Sequence, residues 1–405
     1  MLTKVKLFPL VCLLALPGCV ALAQEERTVM PPRAITSAQE SEEIVRVNTR
    51  VVFIDTLVRE QKTGAPVRDL SSENFQVLAD GKPRTLSYFS REGLSRKPLA
   101  LVLVLDLCTS GILFLEKPEV MEHLITALAK LQPGDEVAVM QTWYEPDATP
   151  LSFQARSRMV EGLTHDRAKT FAALRSVQQF AKQNLPQVKI FFSLKDAIKA
   201  TWKDEILVGM AGAAGSMPTA PPIKTTIAPD FEYMIDQAPL LATRERPDSQ
   251  VVIVEVTDDF GAERLGKTRE TARKLIAANV TVSGLVMKKD LMGKAIEVIG
   301  HLTSPLLGQR FHTISYYGKQ TGGEVATVGS PEEFATTLDK IISGLAARYS
   351  LGFTLGEDER DAGRMMHRLE VKVKARDGQS KKRKLAVNAR RGYYLPKMRE
   401  TPVAR

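Results

Sequence analysis

Between residues 97 and 347 the chain alternates long apolar runs with stripes of helical period. Leu99-Ala100-Leu101-Val102-Leu103-Val104-Leu105 is continuously apolar and ends in Asp106. Val251-Val252-Ile253-Val254-Glu255-Val256 has the same form and ends at Thr257-Asp258-Asp259. Such runs predict parallel strands buried on both faces. Shorter strands are predicted over 137–140, 280–286 and 324–328. Pro118 opens a helix with Val120, Leu124, Leu128 and Leu131 on one face, and Pro133-Gly134 stops it. Helix is also predicted over 156–203, broken at Pro186, and over about fifteen residues after Asp259. Ser330-Pro331-Glu332-Glu333 has the form of a capping box with Pro in the first turn. The stripe Phe334, Leu338, Ile341, Ile342 and Leu345 follows it. Strand and helix alternating at this spacing predict an α/β fold with a doubly wound, mostly parallel sheet.

On both sides of this region the period changes to two. Strands are expected over 44–54, 75–78 and 85–89, with a turn at Thr63-Gly64-Ala65-Pro66 and a hairpin at Asp80-Gly81. After Arg348 they are expected over 349–355, 369–375 and 384–389, with a turn at Asp377-Gly378 and a closing Tyr393-Tyr394-Leu395. About fifty residues seldom bury a sufficient core alone, and the termini of an α/β domain commonly lie close together. The two flanking segments are therefore expected to form one β-sandwich, with the α/β domain inserted between them. The segment 209–249, rich in Gly, Ala, Pro and Thr, is expected as an insertion loop over the upper edge of the sheet. The expected layout is a signal segment 1–23, a polar arm 24–43, an N-terminal β unit 44–96, the α/β domain 97–347, a C-terminal β unit 348–396 and a tail 397–405.

The start of the chain brings in location. Lys4 and Lys6 precede an apolar run from Leu7 to Leu16, and Ala21-Leu22-Ala23 offers small residues for cleavage; this is the form of a secretory signal. The run is short for a membrane span, so a soluble secreted, periplasmic or envelope protein is expected. Leu16-Pro17-Gly18-Cys19 resembles a lipoprotein processing site, and acylation at Cys19 is the one route to a membrane. Of three cysteines, Cys12 and Cys19 lie in this segment. Cys108 is then left alone, with no internal disulfide.

Composition adds little: 44% hydrophobic and 25% charged residues are ordinary for a globular protein. Charge distribution adds more. The formal net charge is +9, and from Arg360 onward 15 Lys or Arg stand against 4 acids. Two readings follow, a strand edge protected by charge or a contact surface for an anionic envelope polymer. No aromatic interleaving or motif points to nucleic acid.

Several stretches carry a resemblance. Gly64-Ala65-Pro66-Val67 leads into Asn74-Phe75-Gln76-Val77-Leu78-Ala79-Asp80-Gly81-Lys82-Pro83; Asp106 and Asp258 end two strands of the α/β core; Arg391-Gly392-Tyr393-Tyr394 closes the chain. Together they resemble the von Willebrand factor A (vWA)-related family common in acidobacteria, over residues 44 to 396. The resemblance implies a metal-ion-dependent adhesion site at the C-terminal ends of the central strands. There an Asp-x-Ser-x-Ser motif, a Thr from a later loop and an Asp after the fourth strand hold Mg²⁺, which needs hard oxygen donors.

Here the implied pattern is degenerate. Asp106, Ser110 and Asp258 remain as metal ligands. Cys108, a soft donor, stands at the first hydroxyl, Phe192 at the Thr with Ser193 beside it, and Asp259 where Gly is usual. Mg²⁺ is the one implied cofactor. Glu255, in a run otherwise apolar, is expected to face an Arg or Lys from a neighbouring helix, or else to add negative charge to the site. The five histidines lack metal-ligand spacing, and Gly-x-Ser-x-Gly is absent. Asp259-Phe260-Gly261 stands without the other kinase motifs. Cys108 without a paired base reads as a buried apolar thiol. The expectation is an exported protein that binds a protein partner, adhesive and not enzymatic. A metal-independent scaffold held to envelope polymers through the basic C-terminal β unit is the alternative.

Overall fold

A computed structural model of the chain describes residues 50–91, 97–107, 110–146, 153–185, 239, 242–259, 265–288, 313–356, 359, 366–376 and 381–395. The signal segment with Cys19, the arm, Cys108, Phe192, Ser193, Pro186, Asp377-Gly378, the tail and most of 209–249 lie outside these residues. The strands are β1 Val51–Glu60, β2 Phe75–Ala79, β3 Lys82–Arg84, β4 Tyr88–Ser90, β5 Leu99–Asp106, β6 Glu136–Pro146, β7 Phe153–Thr164, β8 Gln250–Thr257, β9 Thr281–Met287, β10 Val325–Val328, β11 Tyr349–Thr354, β12 His367–Val373, β13 Leu385–Asn388 and β14 Gly392–Tyr393. The helices are α1 Ser110–Leu115, α2 Pro118–Leu128, α3 over 167–185, α4 Leu265–Ala277, α5 Thr313–Thr321 and α6 Pro331–Leu345.

The α/β sheet runs β10-β9-β8-β5-β6-β7. Its central strands are parallel, and β7 pairs antiparallel with β6 at one edge. The two continuous apolar runs, β5 and β8, lie side by side in its middle and are buried almost throughout. Alternate residues feed two cores. Leu101, Leu103 and Leu105 pack with α1, α2, α3 and α6. Ala100, Val102 and Val104 pack with α4 and α5. Helices on both faces make the sheet doubly wound, as expected.

Three local expectations change. Residues 153–164 form β7, although helix was expected from 156, and the helix begins only at 167. Asp166 caps that helix, its carboxylate accepting from the backbone of Ala168 at 2.9 Å. The hairpin at Asp80-Gly81 closes on Lys82–Arg84 rather than on 85–89. Both turn residues have positive φ, 49° and 79°, as a two-residue hairpin of this hand requires. Tyr88–Ser90 crosses instead to β11. Within 209–249, residues 242–245 form a helical turn and Ala242 is buried against the α4 face of the sheet.

The flanking segments do form one sandwich. One layer is β13-β1-β11-β4 and the other β14-β12-β2-β3. Each layer mixes N- and C-terminal strands: β1 pairs with β11 and β13, and β2 with β12. Their inward faces share a core of Ile54, Val58, Val77, Leu351, Phe353, Leu369 and Tyr393, among others. Tyr349 ties the 61–71 connection down, its hydroxyl donating to the Val67 carbonyl at 2.9 Å and accepting from the Leu70 amide at 3.1 Å.

Arginines join the sandwich to the α/β domain. Arg59 on β1 makes a two-pronged pair with Glu324, both bonds 2.7 Å, and donates to the carbonyls of Lys340 and Gly64. Arg348 donates to the Gly322 carbonyl at 3.0 Å. Arg390 reaches the carbonyls of Ile276 and Phe53. Burial pushes the Arg390 guanidinium down to about 10, so it stays charged at neutral pH. Glu324, Gly322 and Ile276 sit just before β10 or at the ends of α5 and α4. The joint is therefore at the end of the sheet where the parallel strands begin.

Candidate functional site

The opposite end of the sheet holds the predicted carboxylates. In register, Leu105 on β5 stands beside Val256 on β8. Asp106 thus ends its strand next to Thr257, and Asp258 follows one residue on, so both acids lie at one rim. The strand order reverses between β5 and β8: the chain proceeds from β5 outward through β6 and β7, and from β8 outward through β9 and β10. A crevice at such a reversal, beyond the carboxyl ends of the strands, is where open α/β sheets bind ligands.

Asp106 is 3% exposed and Asp258 2%. Asp106 also bridges three strands. Its Oδ1 accepts from the Thr142 hydroxyl of β6 at 3.0 Å, and its Oδ2 from the Thr257 hydroxyl of β8 at 2.7 Å. Alternation explains the arrangement: Asp106, Thr142 and Thr257 are side by side in register and face the α4/α5 side. The two threonines were not singled out in the sequence. Their neighbourhood becomes visible only once β5, β6 and β8 are placed next to one another.

Asp259 has φ 51°, the left-handed region that glycine enters freely and aspartate tolerates. This accounts for Asp standing where the vWA resemblance has Gly. Its backbone amide donates to Thr257 Oγ1 at 3.0 Å. Gly111, at the start of α1, lies so close to the end of β5 that a Cβ there would sit 1.9 Å from the Asp106 carbonyl oxygen. Only glycine lets α1 fold back over the rim. Ser110 begins the same helix, and the placement of its side chain lies outside the described residues.

Two further buried polar groups lie near the rim. Glu255, on β8, is 1% exposed and stands between Val104 of β5 and Gly284 of β9. Gln141 on β6 is fully buried beside Leu105, and among the described residues neither atom of its amide has a hydrogen-bond partner. An orphaned buried amide costs roughly 1–3 kcal/mol, which a leucine at that position would avoid.

Both oxygens of Asp106 already accept threonine hydroxyls. Among the described residues, His, Cys, Asp and Glu side chains nowhere gather in a group of three that would hold a metal. Cys108, Phe192 and Ser193 lie outside those residues. The described carboxylates at the rim are Asp106 and Asp258, with Asp259 next to them, and Mg²⁺ held by one or two carboxylates keeps several waters.

No protein-family model matches the chain, and no curated protein matches it. Similar solved structures include the human COPII-coat protein Sec24c, 9% identical with a TM-score of 0.34, over 73% of this chain and 44% of that one. The chain thus spans less than half the length of that protein. The SpRpn10 VWA domain is 11% identical with a TM-score of 0.31, over 60% of this chain and 93% of that one. A von Willebrand factor type A protein from Catenulispora acidiphila is 10% identical with a TM-score of 0.32, over 80% and 75%.

Proposed function

We propose that this chain, whose doubly wound α/β sheet and terminal acids fit the vWA resemblance of its sequence, is a binding protein and not an enzyme, and that it recognises a protein partner at the rim formed by Asp106 and Asp258. The observation that carries this reading is positional. The two carboxylates flank the strand-order reversal at the end of the sheet away from the sandwich joint. The fold thus places the joint with the sandwich at one end of the sheet and the two carboxylates at the other.

The signal-like residues 1–23 favour a secreted, periplasmic or envelope location and an adhesive or assembly role there, with lipid attachment only through Cys19. Among the described residues no helix is long and apolar enough to cross a membrane. In this reading the rim is a degenerate metal-ion-dependent adhesion site, with Cys108 and Phe192 at the lost ligand positions, and recognition proceeds through the protein's own groups. Calorimetric titration with Mg²⁺ tests this. The expected result is no site tighter than about millimolar. A micromolar site that disappears in Asp258→Asn would overturn the degenerate reading.

A further inference from the structure

The outward face of β12 carries a row of cations that neither the fold nor the rim accounts for. On a strand, every second side chain points to the same face. Leu369, Val371 and Val373 turn into the sandwich core, so Arg368, Glu370, Lys372, Lys374 and Arg376 turn out, and all five are exposed. Adjacent members are separated by about 6.6 Å, and the row extends for roughly 26 Å. The bridge between Arg376 and Lys382 brings the exposed residues 381, 382 and 384, all lysines, to its end. From Arg368 to Lys384 there are eight cations and two acids.

Arg383 among them is structural and turns to Glu60 and Asp69, with bonds of 2.6–3.0 Å, and Lys381 has a partner of its own, so the row rests on Arg368, Lys372, Lys374 and Arg376. The one acid in the outward row, Glu370, meets Lys372 at 3.4 Å across exposed side chains. Such a pair is worth little in solvent. The neighbouring strands present Gln76 and Leu78 on β2 and Pro83 on β3, and the one acid beside the row among the described residues of their hairpin, Asp80, is taken up at its end by His367 and the Arg368 amide.

We infer that this row binds a linear acidic polysaccharide. The row is one strand wide and extended, which fits a chain of anionic groups recurring at ring intervals better than a flat bilayer. The exposed large apolar side chains among the described residues are Phe53, Tyr88, Met159 and Met366, none within the row, so nothing in it would insert into lipid. No aromatic residue lies in the row to stack a nucleic-acid base. Charge complementarity along one line is the recognition element. This face is separate from the Asp106 rim, so either binding activity can fail alone.

The test uses the full chain and a fluorescein-labelled oligomer of polygalacturonate, read by anisotropy at low and physiological salt. Binding is expected, weakening with salt. It is expected to fall by about tenfold or more in the triple variant Lys372→Gln, Lys374→Gln, Arg376→Gln, and by a smaller factor in Lys374→Gln alone. A control triple on α3, Lys169→Gln, Arg175→Gln, Lys182→Gln, carries the same net charge and is expected to bind like the parent. Circular dichroism melting verifies that all variants fold. Equal losses in both triples, or no binding by the parent, would overturn the inference. So would tighter, row-dependent binding to phosphatidylglycerol vesicles or single-stranded DNA.

Discussion

Replacing Arg59 with Met is expected to lower unfolding free energy by about 3 kcal/mol. Arg59 and Glu324 are 10% and 21% exposed at the side chain and meet in two parallel bonds. The Met side chain fills much of the same volume, but the carboxylate of Glu324 is left without its cation in a half-dry joint. The carbonyls of Lys340 and Gly64 lose a donor as well. Breaking one half of a buried pair costs more than removing both halves. The double variant Arg59→Met, Glu324→Leu should therefore recover a large part of the loss. Urea unfolding, with the slope unchanged, reads both. A loss below about 0.5 kcal/mol would mean that the pair behaves as a surface contact and that the sandwich and the α/β domain are held together by apolar contact alone.

Asp106→Ala is expected to cost about 2–3 kcal/mol, because it strands two donors. The hydroxyls of Thr142 and Thr257 are buried, at 0% and 1% exposure, and both bond to Asp106. Without the carboxylate they face a cavity between three strand ends. The sign of the effect is diagnostic. A carboxylate kept only to hold a metal ion is a buried charge in the apo chain, and its removal stabilises. A carboxylate that clamps β6, β5 and β8 together stabilises the fold, and its removal weakens it. Guanidinium unfolding in the presence of a chelator separates the two, and a more stable variant would contradict the clamp.

Much of the architecture was legible because burial leaves a continuous mark. The runs ending in Asp106 and Asp258 are central strands, and the stripe from Phe334 to Leu345 is a helix face buried as expected. The Ser330 cap is made, its hydroxyl accepting from the Glu333 amide at 3.2 Å. The single sandwich was legible from the shortness of its two halves. The strand β7 was not. Its described residues, 156 to 164, are half-buried or exposed without exception, since it is an edge strand, and a sequence with Arg156, Arg158 and Glu161 shows no apolar alternation.

Long-range polar pairing was equally hidden. Arg59 and Glu324 are 265 positions apart, and Thr257 and Asp106 are 151 apart. Neither pair has a local signature. At the rim, the sequence located the two acids but not the threonines that orient one of them, nor Gly111, whose role appears only from its approach to the end of β5.

The most direct measurement is site-specific photo-crosslinking in the native host, with the reactive residue placed at position 288 or at position 134. Lys288 is exposed just beyond β9 on the Asp106 rim, and Gly134 is exposed just before β6 at the other end of the sheet. Partner recognition at the rim predicts one discrete protein adduct from position 288, lost in Asp258→Asn, and none from position 134. Adducts from position 134 alone, or the same adducts from both positions regardless of Asp258, would contradict it.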